Sequence, residues 1–297
     1  MKITAPIKRF LVRSPLHRPC LEASVVFQLL NYKRHARKGQ KDLPSPVYCL
    51  GNFKTGTVSL SGLLAQRLNG RHEPHVYLYS KVWLQRKRGK FSNNAWKQFL
   101  ITRARTLNLE FEASGFLTIE AELLMQCFPQ SKYILTIRDP LSWIRSMLRH
   151  IVKNRQKLHY DYCAPIWDYY FPRNHFQAEE ASLRAKNLYP IQSMLDYWKS
   201  SNQGAIEAIP SSQLLILDTK ELSTSVGLLE SFMGWPQNSL DRSRSHLHRN
   251  KQQMDPLETI SQDWLEAQCA PYQTLFNNWK LRSLPGSLSS GDDTPHV

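Results

Sequence analysis

Apolar positions in this chain fall into short continuous runs that alternate with stripes of helical period. Val47-Tyr48-Cys49-Leu50, after Pro46, is a four-residue apolar run of the kind a buried strand makes. Leu60, Leu63, Leu64 and Leu68 then recur at the spacing of one helix face. Val76-Tyr77-Leu78-Tyr79 predicts a second strand, residues 94–107 a helix, and residues 119–128 another helix ending before Pro129. Tyr133–Ile137 is continuous, apolar and β-branched, the pattern of a central parallel strand. Leu141, Ile144, Leu148 and Ile151 stripe the helix that follows, whose first turn accepts Pro140. Residues 155–177 are rich in Tyr, Trp, Phe and His with no clear period and predict an aromatic loop. Farther on, 178–208 predicts helix interrupted at Pro190, and Gln213–Leu217 a strand feeding a helix over 222–233 that stops at Gly234-Trp235-Pro236. Residues 256–270 and 271–281 predict two helices separated at Pro271. Strands alternating with helices specify an α/β fold: a single domain over 46–282, with a mostly parallel sheet flanked by helices. Residues 1–45 predict a basic extension with a helix over 21–32, and the Ser-, Gly- and Pro-bearing stretch 283–297 a flexible tail.

Composition narrows the classes. The 297 residues are 41% hydrophobic and 21% charged, a globular balance. Lys plus Arg number 39 against 24 Asp plus Glu, a net +15, which favours anionic partners even though much of such an excess is ordinary solvated surface. Aromatic residues are sparse in the basic run Lys33–Lys41, so no nucleic-acid partner is expected. Five cysteines, odd in number and without a C-x-x-C pair, oppose both a disulfide framework and a zinc site. The pairs His72/His75 and His246/His248 lack further ligands around them, and no metal is expected. No apolar run reaches the ~18 residues of a transmembrane segment. The basic N-terminus is followed only by an apolar run broken at Ser24 and Gln28, so no secretory signal is expected and a cytoplasmic location is.

The candidate chemistry lies in two segments. Gly51-Asn52-Phe53-Lys54-Thr55-Gly56-Thr57 sits between the first strand and its helix, where backbone N–H groups at a helix start can cradle an anion and glycine lets the chain approach closely. Gly51 and Gly56 have the spacing of a nucleoside-triphosphate loop, but Thr57 and Val58 stand where that loop has Lys and Ser/Thr. The lysine is inside the loop, at Lys54, and Val58 offers no hydroxyl to magnesium. Such a cradle suits a transferring group less charged than a γ-phosphate. The second segment is Arg138, at the end of the strand Tyr133–Ile137, with Ser146 two helical turns later. An arginine fork there suits a phosphate dianion, and the serine adds a donor.

Phe53-Lys54-Thr55-Gly56-Thr57-Val58 resembles the donor loop of the sulfotransferases that use 3′-phosphoadenosine 5′-phosphosulfate (PAPS), Pro-Lys-Ser/Thr-Gly-Thr-Thr, at four positions and departs from it at both ends. Arg138 with Ser146 is similar to the 3′-phosphate site of that family. The resemblance covers about 46–281. It implies a P-loop-like fold and PAPS as co-substrate, held by Lys54, Thr55, Gly56, Thr57, Val58, Arg138 and Ser146 without a metal. It also implies transfer of a sulfuryl group to a hydroxyl or amine acceptor, with Lys54 catalytic. Arg249 and Lys251 resemble the Arg-Lys-Gly loop that closes over the 3′-phosphate in cytosolic members, without its glycine. Glu73 lies nineteen residues after Lys54, a distance similar to that of the base glutamate in protein-tyrosine and some bacterial sulfotransferases. It precedes the predicted strand 76–79, although binding loops leave the carboxyl ends of strands, so 71–75 would have to reach back over the cleft. The other reading of Glu73 is a surface carboxylate paired with Arg71 or His75; Glu120 is a second candidate base. The family tryptophan that stacks on adenine is replaced by Ser59. Two rival functions use the same features: a P-loop phosphotransferase of kinase type, and a non-catalytic basic module that binds polyanions.

Overall fold

The computed structural model describes residues 17–37, 45–246 and 254–282, and it holds one five-stranded, all-parallel sheet. Its strands are β1 Val47–Gly51, β2 Gly70–His72, β3 Phe111–Ala113, β4 Tyr133–Ile137 and β5 Leu214–Asp218, in the order β2-β3-β1-β4-β5. β1 is central, with Val47 opposite Phe111 of β3 and Gly51 opposite Thr136 of β4. The helices are α1 His17–Arg37, α2 Thr57–Leu64, α3 Val76–Lys87, α4 Asn93–Leu107, α5 Ala121–Cys127, α6 Pro140–Asn154, α7 Leu158–Tyr170, α8 Ala181–Ala185, α9 Ile191–Ala208, α10 Val226–Met233 and α11 Gln262–Leu281. The architecture is therefore α/β, as the alternation of runs and stripes predicts.

Pleating sends Val47 and Cys49 to one side of β1, where they pack with Leu60, Leu63 and Leu64 of α2 and with Val226 and Leu229 of α10. Tyr48 goes to the other side, where its ring meets Tyr133 and Phe128. All five residues of β1 and of β4 are buried, which accounts for their unbroken hydrophobic reading.

The structure corrects several expectations. Residues 76–79 are not a strand but the first turn of α3, whose buried residues Leu78, Tyr79, Val82 and Trp83 follow a helical spacing. The strand lies earlier, at Gly70–His72; Gly70 fits there because the Phe111 ring of β3 occupies the space a Cβ would need. The aromatic stretch 155–177 contains α7, with Tyr162, Cys163, Ile166 and Trp167 buried at helical spacing. Pro271 does not divide the C-terminal helix but lies inside α11, at the loss of one backbone hydrogen bond. The helix expected over 21–32 is longer, at His17–Arg37.

Backbone contacts group the chain into two compact units. The larger, with described segments 45–74, 109–153, 167–246 and 254–282, holds the whole sheet. The smaller, with described segments 17–37, 75–108 and 154–166, is helical; α1 packs on α3 and α4 through Val25 and Tyr32, with the Tyr32 ring against Phe99. Charge divides unevenly between them. The described segments of the smaller unit carry fourteen Lys or Arg against two Asp or Glu, a net +12, and those of the larger carry seventeen against nineteen, a net −2.

Candidate active site

The loop that leaves β1 turns four consecutive carbonyls back into the protein. The Asn52 carbonyl accepts from Thr55 Oγ1 at 2.7 Å. Trp143 Nε1 of α6 donates to the Phe53 carbonyl at 2.7 Å, and Arg138 Nη1, just past β4, donates to the Lys54 carbonyl at 3.2 Å. Thr219 Oγ1, just past β5, lies 2.7 Å from the Thr55 carbonyl and 2.8 Å from that of Ile137. The loop can take this path because Lys54 and Gly56 have positive φ, 71° and 89°. Gly51 is required for a different reason: a Cβ there would lie 2.1 Å from Thr136 Oγ1, at φ 144°. Gly56 caps α2, so the first N–H groups of that helix have no intrahelical acceptor and, at the carboxyl edge of the sheet, are able to donate to an anion. Thr57 Oγ1 meets His72 Nε2 at 3.0 Å, which links the cradle to β2.

Glu73 immediately follows β2. Its N–H donates to the Ala113 carbonyl at 2.9 Å, extending the β2–β3 ladder by one bond, and its φ of 46° then turns the chain. The geometric objection raised by a strand at 76–79 therefore disappears, because Glu73 stands at the carboxyl end of its strand, as a binding residue of a parallel sheet should. Lys54, Glu73 and Arg138 occupy the same edge of the sheet, at the ends of β1, β2 and β4.

The charges of these residues act on one another. Burial lowers the pKa of the Lys54 amine, and Arg138 and Lys153 lower it further, while Glu73 raises it. Burial pushes the Glu73 carboxyl up to about 7, with Lys54 pulling it down and Glu112 of β3 pushing it up. The Arg138 guanidinium is lowered by burial against support from Asp139 and Asp218, and its Nε is buried without a hydrogen-bond partner among the described residues. Lys54 thus lies in the field of two further cations, Arg138 with its unused donor and Lys153, an arrangement that an anion would relieve. Lys153 is not among the sequence-predicted residues. It lies seven residues, two helical turns, beyond Ser146 on α6.

Thr55 and Thr57 are buried within the cradle, and Val58 is part-buried in the first turn of α2. Ser146 is part-buried on α6, the helix that begins beyond Arg138. Arg249 and Lys251, like the predicted tail 283–297, lie outside the described residues. Glu112 and the second candidate base Glu120 are both buried, with Glu112 on β3 and Glu120 just before α5. The loop after β1 rests on a polar layer that only the structure reveals: Thr55 Oγ1 to Thr136 Oγ1 at 2.9 Å, Gly51 N–H to Thr118 Oγ1 at 2.8 Å, and Ser201 Oγ to Asn52 Oδ1 at 2.7 Å. Beside Asp139, beyond the ends of β4 and β5, is a cavity of about 520 Å³ lined by Leu141, Asp218, Lys220, Cys269 and Phe276. No group of His, Cys, Asp and Glu among the described residues is arranged to hold a metal ion.

Comparison with known proteins agrees with this fold. No curated protein matches the chain. Among solved structures, the chain is similar to a sulfotransferase from Alicyclobacillus acidocaldarius at a TM-score of 0.50 and 16% identity, over 81% of this chain and 97% of that one. It is also similar to the sulfotransferase STF9 from Mycobacterium avium at a TM-score of 0.51 and 12% identity, over 90% and 87% of the two chains. At such identities the likeness speaks for the fold. The model of the family described as "Sulfotransferase domain" matches residues 46–237, which take in β1 through β5, the loop around Lys54, Glu73 and the Arg138–Ser146 segment. The chain belongs to the sulfotransferase domain family.

Proposed function

We propose that this sulfotransferase takes its sulfuryl group from PAPS and passes it to an acceptor hydroxyl or amine, with Lys54 and Glu73 as the catalytic residues. The observation that carries this reading is the meeting of Lys54, Arg138 and Glu73 at one edge of the sheet, two cations and a carboxyl whose proton leaves near neutral pH. The orphaned Arg138 Nε and the first N–H groups of α2, which lack intrahelical acceptors, fit a ligand with an anion at each end. Thr55, Gly56, Thr57 and Val58 would hold the 5′-phosphate through the backbone, and Arg138 with Ser146 would hold the 3′-phosphate. PAPS supplies the sulfuryl group in an activated mixed-anhydride linkage. Lys54 stabilises negative charge developing on the leaving phosphate oxygen, in a cradle whose carbonyls are already turned away. Glu73 accepts the acceptor's proton as its oxygen or nitrogen attacks, which a carboxyl titrating at about 7 does efficiently at neutral pH. Lys153 adds positive potential around Lys54.

Calorimetric titration with 3′-phosphoadenosine 5′-phosphate, set against ATP with magnesium, tests the donor. The bisphosphate binds preferentially, and Arg138→Ala weakens it by about 10- to 100-fold, the usual range for lost hydrogen bonds to a charged group. Lys54→Ala lowers turnover by about 10²- to 10³-fold with the melting temperature unchanged. Preference for ATP with magnesium, or an Arg138→Ala protein that binds as well as the parent, sinks the reading in favour of a phosphotransferase.

A further inference from the structure

Helix α1 has two unlike faces. One carries Val25 and Tyr32, buried against α3 and α4, and Glu22, which ion-pairs with Lys81 and accepts from Tyr162 Oη at 2.8 Å. The other presents Ala23, Val26, Phe27, Leu30 and Arg34, all exposed at helical spacing, with Val26 54%, Phe27 64% and Leu30 58% accessible. Leu29 beside them is 38% accessible, so four of the nine exposed large apolar side chains among the described residues sit on two turns of one helix. Scattered exposed apolar residues need no explanation, but a contiguous stripe does.

The charge around the stripe identifies what covers it. The sequence of α1 ends with Lys33, Arg34 and Arg37 in its last turns, and the described segments of the unit it belongs to carry the +12 given above. In those described segments fourteen bases stand against two acids, so the net field is strongly positive. Arg86 lies over Trp96 at 5.1 Å and Lys87 over Trp83 at 5.1 Å, contacts that leave the charge in place. A second copy of the chain would bring the same positive field and be repelled. A soluble polyanion would match the charge but leave Phe27 and Leu30 in water. An anionic bilayer surface matches both. We propose that α1 docks the protein peripherally on membranes containing acidic lipid, with Val26, Phe27 and Leu30 entering the boundary between headgroups and acyl chains. No described helix is long and apolar enough to cross a membrane, so α1 lies along the surface.

Co-sedimentation of the full chain with vesicles tests this. The protein pellets with phosphatidylcholine vesicles that contain phosphatidylserine and stays in solution with phosphatidylcholine alone, and added salt releases it. The double substitution Phe27→Glu/Leu30→Glu weakens vesicle binding by about 100-fold, roughly tenfold for each side chain removed from the bilayer. Both residues are exposed, so the melting temperature is unchanged, and Phe27→Ser/Leu30→Ser repeats the loss without adding negative charge. Three results overturn the proposal: vesicle binding that ignores either double substitution, retention on heparin with no vesicle binding, or a dimer in light scattering that the double substitution splits. Because none of the residues assigned to the donor cradle belongs to α1, failure here leaves the sulfotransferase reading standing.

Discussion

At the end of β1 four successive carbonyls, Asn52 to Thr55, are tied down by a hydroxyl of the loop itself and by side chains from α6 and from the ends of β4 and β5. At the end of β2 the candidate base follows a three-residue edge strand, and its backbone is held by the ladder bond to Ala113. The difference matches what each end has to do. A cradle recognises phosphate by the direction of its N–H groups, so the backbone itself must be fixed. A general base works through its proton affinity, which depends on what surrounds the carboxyl: burial, Lys54 and Glu112. One end is specified by hydrogen bonds, the other by environment.

Four experiments bear on this contrast. The largest effect is expected at the β2 end. Glu73→Gln keeps shape and burial but cannot take a proton, so kcat/KM falls by about 10³-fold, and the rise of the parent's rate with pH through about 7 disappears. A variant that keeps its pH limb would move the base elsewhere, to Glu120 first.

Next comes the foundation of the cradle. Gly51→Ala places a Cβ on Thr136 Oγ1 at a φ that L-residues rarely adopt, so denaturant melts should show a loss of about 3 kcal/mol or more. A variant as stable as the parent would mean that the wiring beneath the loop tolerates movement.

Third is the stability attached to the base. The Glu73 carboxyl titrates at about 7 when folded, against about 4.5 when unfolded. Between those values the folded state binds more protons, so stability falls as pH rises through that window and is flat above it. The cost of ionising Glu73 is at most about 3 kcal/mol. Glu73→Gln removes it, so the variant should melt higher than the parent at pH 8 and equally at pH 4. Equal melting at both would show that the carboxyl is solvated after all.

Smallest is Trp143→Phe, which deletes the donor to the Phe53 carbonyl while keeping an aromatic ring in the core. A loss of about 1–2 kcal/mol is expected, with weaker bisphosphate binding and little change in the pH profile.

How much of this is legible without coordinates depends on where each residue's signal comes from. β1, its loop and β4 can be read because a strand buried on both faces must be apolar throughout and a phosphate loop must concentrate Gly and Thr. β2 cannot. Gly70-Arg71-His72 has no apolar residue, since an edge strand this short is held by its ladder and by the Phe111 ring of its neighbour. With β2 silent, the strand signal falls on Val76–Tyr79, where β-branched and aromatic propensity is overruled by packing. That displacement alone makes Glu73 look badly positioned. α7 is hidden for a related reason: its aromatic residues are dense enough to mask a period that Tyr162, Cys163, Ile166 and Trp167 keep. The Trp143, Thr219 and Ser201 contacts lie 90, 164 and 149 residues from their partners, and no local pattern announces such distances.

The position of β1 in the sheet also has a consequence for how the protein is made. Both of its neighbours are synthesised after it, β3 ending at Ala113 and β4 at Ile137, so its apolar run leaves the ribosome with neither pairing partner available. At roughly 5–20 residues per second the last of them follows several seconds later. Until then the strand that will carry the Lys54 loop is an unpaired, sticky edge, which favours shielding by a chaperone and makes slow elongation between codons 51 and 137 a hazard to yield. The middle of the sheet is the first strand translated and among the last completed.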